Sequence, residues 1–179
     1  MNNSYPHLWQ YAAELSAKAH RHQTRKDGVT PYIMHPMRVC LTLSQVFHVT
    51  DESILAAALL HDVIEDTSTD YDDVEEVCSA EVADIVAALS KDARVAHDPR
   101  ELAYQQQLDN ASWKVKIIKL ADIYDNICDA VKTRSKINVW SPAEHAIKGA
   151  EGIPQLQQAA LILKKLLDEH EADRIELQK

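Results

Sequence analysis

The most concentrated set of reactive side chains is His61, Asp62, Glu65 and Asp66, directly after the apolar run 56–60. Imidazole nitrogens and carboxylate oxygens bind divalent metals, and carboxylates also move protons during catalysis. Positions four residues apart share a helix face, so the two acids would lie beside the His-Asp pair. Taken alone, the segment fits a metal site and a helix end that becomes polar at the surface equally well.

A further acid, Asp122, lies in the stretch 113–131, which is apolar on nearly every side and predicts a buried central helix. Because an unpaired buried carboxylate is costly, Asp122 needs a cation, a hydrogen-bond network or a path to water. Asn126 shares its face, whereas Asp125 and Asp129 share another face that we assign to solvent. A buried salt bridge is one solution for Asp122, but the His-Asp cluster elsewhere in the chain favours a metal.

Upstream, the segment 21–31 is predicted to be a loop, because Asp-Gly and Pro interrupt it. It carries cations at Arg21, Arg25 and Lys26, so it is either a solvated charged turn or an anion clamp at a pocket. His35 follows just before the predicted start of the second helix. It would join a metal site only if the fold brings it to the His-Asp pair.

The composition predicts a single all-α domain spanning residues 1–179, arranged as a helical bundle. The chain has only 3 Gly and 6 Pro. It is rich in Ala, Leu, Ile, Glu and Gln, several of which are strong helix formers. Its 46% hydrophobic and 26% charged residues are ordinary for a globular protein, and its length allows a sizeable core.

Charge, hydropathy and cysteine content limit the partners and the compartment. The formal net charge of -9 argues against a nucleic-acid partner, although a metal and local cations can still hold a small anionic ligand. No apolar run approaches the ~20 residues of a membrane span, and the N-terminal segment lacks a signal-peptide pattern. Cys40, Cys78 and Cys128 have neither disulfide nor zinc spacing, so we expect reduced thiols and a cytoplasmic protein. The oligomeric state stays open.

Several groups near these motifs are given structural roles. His20 and His22 flank the cationic loop and are assigned to the surface, although they could touch a phosphate. Trp113 and Trp140 are assigned to packing rather than to base stacking. The segment 91–100 has no periodicity and is predicted to be a loop.

The order His35, His61-Asp62, Asp122 resembles the H…HD…D pattern of the HD-domain metal-dependent phosphohydrolases. Three longer segments resemble, in order, the motifs of the hydrolase domain of the RelA/SpoT enzymes: 23–36, 59–67 and 119–126. The short chain, without a synthetase domain, resembles the stand-alone small alarmone hydrolases. This resemblance implies a single all-α HD-domain bundle that uses a manganese ion to remove pyrophosphate from the 3′ position of an alarmone.

The resemblance also implies three sets of functional residues. The metal ligands would be His35, His61, Asp62 and Asp122. The groups that handle the water and the proton transfers would be Glu65 and Asp66. The residues in contact with the nucleotide would be Arg25, Lys26 and Asn126. Independently of the family, two imidazoles and two carboxylates suit Mn²⁺, Fe²⁺, Co²⁺ or Zn²⁺ better than Ca²⁺.

Two features depart from the family pattern. Cys128 stands where relatives usually carry Arg, and the region 144–153 lacks their aromatic-rich late helix. Guanine and adenine alarmones, (p)ppGpp and (p)ppApp, are therefore both open as substrates. Two alternatives are an HD phosphohydrolase of another nucleotide, such as a 5′-monophosphatase, and a non-catalytic nucleotide-binding regulatory HD module. The intact acids and the cationic loop favour the alarmone hydrolase.

Overall fold

The fold is all-α in the computed structural model, which describes residues 5–92, 97–134 and 138–177. The helices before the central one are α1 (Leu8–Ala19), α2 (Met34–Leu41), α3 (Glu52–Leu60), α4 (Val63–Asp66), α5 (Tyr71–Val77), α6 (Ala80–Leu89) and α7 (His97–Asp109). The remaining helices are α8 (Trp113–Thr133), α9 (Trp140–Gly149), α10 (Gln157–Glu169) and α11 (Glu171–Leu177). A π-helical turn, Thr42–Val46, continues α2, and a 3₁₀ turn, Pro154–Leu156, precedes α10.

Helices α3 and α8 form the centre of the bundle, as their apolar sequences predict. α3 packs against α1, α2, α6 and α8, and its run 56–60 is buried throughout. α8 also contacts α2, α6, α9 and α10. The N-termini of both helices are capped: Asp51 accepts the backbone N–H groups of Ser53 and Ile54, and Ser112 accepts that of Val115. The two helices that carry most of the candidate ligands are thus held by the core.

Other expectations meet a mixed outcome. Trp140 is 2% exposed and packs in the core, as predicted. His35 lies inside α2 rather than just before it, because the helix begins at Met34, two residues before Pro36. The predicted loop 91–100 falls partly outside the described residues, and α7 already begins at His97. Among the helices of the described ranges, none combines the length and hydrophobicity needed to cross a bilayer.

Candidate metal centre and active site

His61 and Asp62 occupy a break between two helices. α3 ends at Leu60 and α4 begins at Val63, so the pair lies at the junction, where Asp62 adopts φ -104° and ψ -5°. His61 Nδ1 lies 2.8 Å from the carbonyl oxygen of Ala58, to which it donates. This hydrogen bond turns His61 Nε2 toward the interior, 3.1 Å from Asp62 Oδ2. The helix therefore ends where both side chains can face one point.

The two distant candidates, His35 and Asp122, reach the same point from α2 and α8. His35 Nε2 lies 3.2 Å from Asp122 Oδ1 and 3.6 Å from Asp62 Oδ2. Asp122 Oδ1 also lies 3.9 Å from His61 Nε2. His35, His61 and Asp122 are all buried, at 2%, 4% and 6% exposure. The four side chains predicted to form a metal site therefore converge.

The donor set fits a divalent cation. The ligand atoms of His35, His61 and Asp62 lie within 4.8 Å of one another, which allows them to hold one metal ion. His61 Nε2 is buried and has no hydrogen-bond partner within the described part of the chain. A buried nitrogen in this state is costly unless something occupies the position it faces. Imidazole and carboxylate together suit Mn²⁺, Fe²⁺, Co²⁺ or Zn²⁺.

The electrostatics of the centre also favour a positive charge. Burial alone would lower the pKa of His35, but its contacts with Asp122 and Asp125 raise that pKa to about 9. Burial would raise the pKa of Asp62, yet His61 and His35 hold it below its usual range. The carboxylates thus stabilise a cation among them, and a bound metal ion would fill that requirement.

Asp122 is held by two neighbours on its own helix. Lys119 Nζ donates to Asp122 Oδ2 at 2.8 Å, and Asn126 Nδ2 donates to Asp122 Oδ1 at 2.6 Å. The buried salt bridge weighed as an alternative for this acid is therefore present. This salt bridge does not turn Asp122 away from the histidines, because Asp122 Oδ1 still lies 3.2 Å from His35 Nε2. One carboxylate serves both contacts.

The assignment of Asp125 and Asp129 to solvent is wrong. Asp125 is 4% exposed and accepts hydrogen bonds from His35 Nδ1 at 2.7 Å and from Arg38. The Asp129 side chain is 20% exposed and pairs with Arg25 at 3.1 Å. Helix α2 packs against this face of α8 and supplies Arg38, while the loop before α2 supplies Arg25. The spacing of Arg38, three residues after His35, is the sequence signal that could have revealed this.

The two candidate acids lie at the more open side of the centre. The Glu65 carboxylate accepts the backbone N–H of Lys91 at 3.0 Å, and partial burial raises its pKa. The Asp66 carboxylate accepts the Tyr32 hydroxyl at 2.9 Å, while the same hydroxyl lies 2.8 Å from Asp62 Oδ2. A hydroxyl has one proton, so Tyr32 can donate to only one carboxylate at a time. Tyr32 was missed by the sequence reasoning.

The cationic loop is ordered by contacts within itself and with the helices. Asp27 accepts the Thr30 hydroxyl at 2.6 Å and the backbone N–H groups of Val29 and Thr30 at 2.9 and 2.8 Å. These hydrogen bonds lower the pKa of Asp27 to about 2. Gly28 adopts φ +70°, a conformation that L-amino acids with side chains rarely adopt. The loop therefore has a defined turn, and it presents Lys26 at the cavity.

The surface role predicted for His20 is wrong. His20 is 2% exposed, and its ring stacks on Tyr32 with the centroids 4.7 Å apart. Its Nδ1 lies 2.6 Å from Gln23 Oε1, and Gln23 in turn donates to the carbonyl oxygen of Asp66 at 2.6 Å. The residue supports the base of the loop. Its aromatic partner, Tyr32, lies on the other side of the loop, in the segment that leads into α2.

One cavity of about 290 Å³ brings the candidate residues together. Its lining includes every candidate ligand, acid and nucleotide contact: His35, His61, Asp62, Asp122, Glu65, Asp66, Arg25, Lys26 and Asn126. Other lining residues that the sequence reasoning missed are Tyr32, Lys91, Tyr104 and Lys119. An adjoining cavity of about 230 Å³ shares several of these residues and extends toward Val139 and Pro142. The arrangement suits a charged substrate larger than a single phosphate.

A family model described as an HD domain matches residues 12–138, which is more than half of the chain. The chain belongs to the HD-domain family. Guanosine-3′,5′-bis(diphosphate) 3′-pyrophosphohydrolase MESH1 from Danio rerio is 37% identical over 162 residues, covering 85% of this chain and 89% of the relative. MESH1 from Homo sapiens is 35% identical over 160 residues, covering 84% and 88%. These matches cover most of the chain and not only the residues of the metal motif.

The same relationship is visible in three dimensions. The solved structure of a metazoan ortholog of SpoT, a protein that hydrolyses ppGpp, superposes with a TM-score of 0.79 at 27% sequence identity. The superposition covers 93% of this chain and 98% of the other. The all-α fold predicted from the sequence is therefore confirmed, both by the helices themselves and by this HD-domain neighbour.

Proposed function

We propose that this chain is a metal-dependent hydrolase that removes pyrophosphate from the 3′ position of an alarmone, (p)ppGpp or (p)ppApp. The observation that carries the proposal is the single cavity in which His35, His61 and Asp62 face acids and cations. The MESH1 relatives and the ppGpp-hydrolysing SpoT ortholog have the corresponding activity in their names. Their similarity over most of the chain supports the same reaction class here.

The metal in this proposal is Mn²⁺, held by His35, His61, Asp62 and Asp122. When bound by these residues, a divalent ion would supply Lewis acidity toward a phosphate oxygen and would lower the pKa of a nearby water. The burial of the ligands keeps competing water away, which strengthens the electrostatic interactions inside the site. The hydrogen bond to the carbonyl oxygen of Ala58 holds the His61 imidazole with its Nε2 toward the other ligands.

The acids Glu65 and Asp66 handle the water and the proton transfers. Glu65 lies beside the metal ligands with a pKa raised by burial, so it binds a proton more readily than an exposed glutamate. It takes a proton from the water as the water oxygen bonds to the phosphorus attached to the ribose 3′-oxygen. The bond from that phosphorus to the 3′-oxygen breaks, and the 3′-oxygen takes up the proton that Glu65 accepted from the water. Asp66, hydrogen-bonded to Tyr32, orients the water.

The substrate phosphates meet the cationic side of the cavity. Arg25 and Lys26 offset the charge of the diphosphate, and Asn126 lies between Arg25 and Asp122. The adjoining cavity, with Val139 and Pro142 in its lining, gives the nucleoside an apolar surface. A binding site with both surfaces favours a phosphorylated nucleotide over a free phosphate.

The proposal places the enzyme in the cytoplasm. All three cysteines are free thiols, which is the state expected in a reducing compartment. The two alternatives, a phosphohydrolase of another nucleotide and a non-catalytic module, use the same cavity. The second of them is disfavoured because every candidate ligand and acid lines the cavity, as a working active site requires.

The direct test measures pyrophosphate release from ppGpp and from ppApp by the purified, Mn²⁺-loaded protein. The control is the same protein after treatment with a chelator. Metal-dependent release from ppGpp would establish a guanine alarmone hydrolase, and release from ppApp alone would establish an adenine one. Release from neither would overturn the proposal, and a panel of nucleoside 5′-monophosphates would then test the phosphatase alternative.

A further inference from the structure

Both ring nitrogens of His35 have defined partners. Its Nε2 faces the candidate metal position, and its Nδ1 lies 2.7 Å from Asp125 Oδ2. Both residues are buried, at 2% and 4% exposure, so little water competes for this hydrogen bond. With its proton on Nδ1, the imidazole presents the Nε2 lone pair to a metal.

Arg38 holds the far side of Asp125. Arg38 Nε donates to Asp125 Oδ1 at 2.6 Å, and Nη2 donates to Oδ2 at 2.9 Å, so the guanidinium grips the carboxylate with two hydrogen bonds. The carboxylate is therefore an anion fixed between two donors from α2.

The guanidinium of Arg38 also contacts Asp129, which leads to the substrate side of the cavity. Arg38 Nη2 lies 3.5 Å from Asp129 Oδ1, and Asp129 Oδ2 lies 3.1 Å from Arg25 Nη2. Arg25 also donates to Asn126 at 3.3 Å, and Asn126 donates to Asp122 at 2.6 Å. A continuous series of polar contacts therefore joins the candidate metal ligand on α2 to the one on α8, and it passes through the phosphate-binding arginine.

We infer that Asp125 is a positioning residue that fixes the His35 imidazole for the metal. Arg38 positions Asp125 in turn. Through Asp129, Arg38 also holds Arg25 where it meets the substrate phosphates. The metal-binding half of this inference needs only a bound ion, whereas the Arg25 half rests on the proposed function.

The inference predicts different effects for the three positioning residues. Asp125→Asn should weaken Mn²⁺ binding about 10-fold or more, the range expected when the hydrogen-bond partner of a metal ligand is changed. Asp129→Asn should leave Mn²⁺ affinity unchanged and raise KM, because Arg25 loses its anchor. Arg38→Lys keeps the charge but loses the planar fork, so it should weaken Mn²⁺ binding and raise KM together.

The experiment measures the Mn²⁺ dissociation constant by calorimetry on purified protein, followed by kcat and KM on the alarmone that the wild type hydrolyses. Asp168→Asn is the matched control, because it removes the same charge from an exposed position on α10. It should leave the Mn²⁺ dissociation constant, kcat and KM at wild-type values. Thermal denaturation of each variant reports whether the fold persists, and Arg38→Lys provides a second variant if Asp125→Asn does not fold.

The outcomes separate this inference from the proposed function. Wild-type Mn²⁺ affinity in folded Asp125→Asn and Arg38→Lys would show that the network only stabilises the helix packing, and would overturn the inference. A wild type that binds Mn²⁺ but releases no pyrophosphate would overturn the proposed function, while the calorimetry would still decide the role of Asp125. An unchanged KM in Asp129→Asn would overturn only the statement that Arg38 and Asp129 position Arg25.

Discussion

The metal side and the substrate side of the cavity are built differently. On the metal side, His35, His61 and Asp122 come from the junctions and faces of packed helices and are 2–6% exposed. On the substrate side, Arg25 and Lys26 come from a loop, and Lys26 is exposed. The first set is positioned by the hydrophobic core, and the second by local hydrogen bonds. The geometry of the ion is thus set before any substrate arrives, whereas the phosphate contacts can adjust to it.

The difference has a physical origin in the cost of burying charge. Buried imidazoles and carboxylates must be paired or bonded, and here each has a partner that also fixes its direction, such as Ala58 for His61. An exposed lysine needs no such partner, since water solvates it. The metal side should therefore respond to substitution with large losses of binding and rate, and the substrate side with graded changes in KM.

The largest effect is expected for Asp62→Ala on the metal side. The change removes one of the side chains that converge on the ion, so bound metal and turnover should fall together by at least about 100-fold, because altering a mere outer partner of a ligand already costs about 10–100-fold. Metal analysis of the purified variant and its rate of pyrophosphate release measure the two quantities. Full metal content with no turnover would contradict the assignment of Asp62 as a ligand.

A loss of rate without a loss of metal is expected for Glu65→Gln, at the boundary between the two sides. The variant keeps the shape of the side chain and removes its ability to accept a proton, so kcat should fall by about 10²–10⁴-fold, the usual contribution of a general base. The Mn²⁺ content should stay at the wild-type level, which distinguishes this residue from Asp62. Glu76→Gln, at an exposed position on α5, is the matched control. Near-normal turnover would show that another group accepts the proton.

The sequence predicted the features that depend on local pattern and missed those that depend on how distant segments pack together. The apolar patterns of 56–60 and 113–131 predicted that α3 and α8 are buried, because hydrophobic patterning is a local property of the sequence. The burial of Asp125 was not predicted, since it depends on how widely α2 covers α8 and on a cation that α2 supplies. The burial of His20 was missed for a similar reason, because Tyr32 covers it only after the loop has folded.

The smallest effect is expected for Lys26→Ala on the substrate side. Lys26 lines the cavity from an exposed loop position, so its contact with phosphate is partly screened by water. KM should rise by about 10-fold, which corresponds to the ~1.5 kcal/mol lower end for a hydrogen bond to a charged group, while kcat and metal content change little. Lys148→Ala, with a lysine in the last turn of α9, is the control for the loss of one positive charge. A fall in kcat with an unchanged KM would mean that Lys26 acts on the transition state, and the loop would then belong with the preorganised side of the cavity.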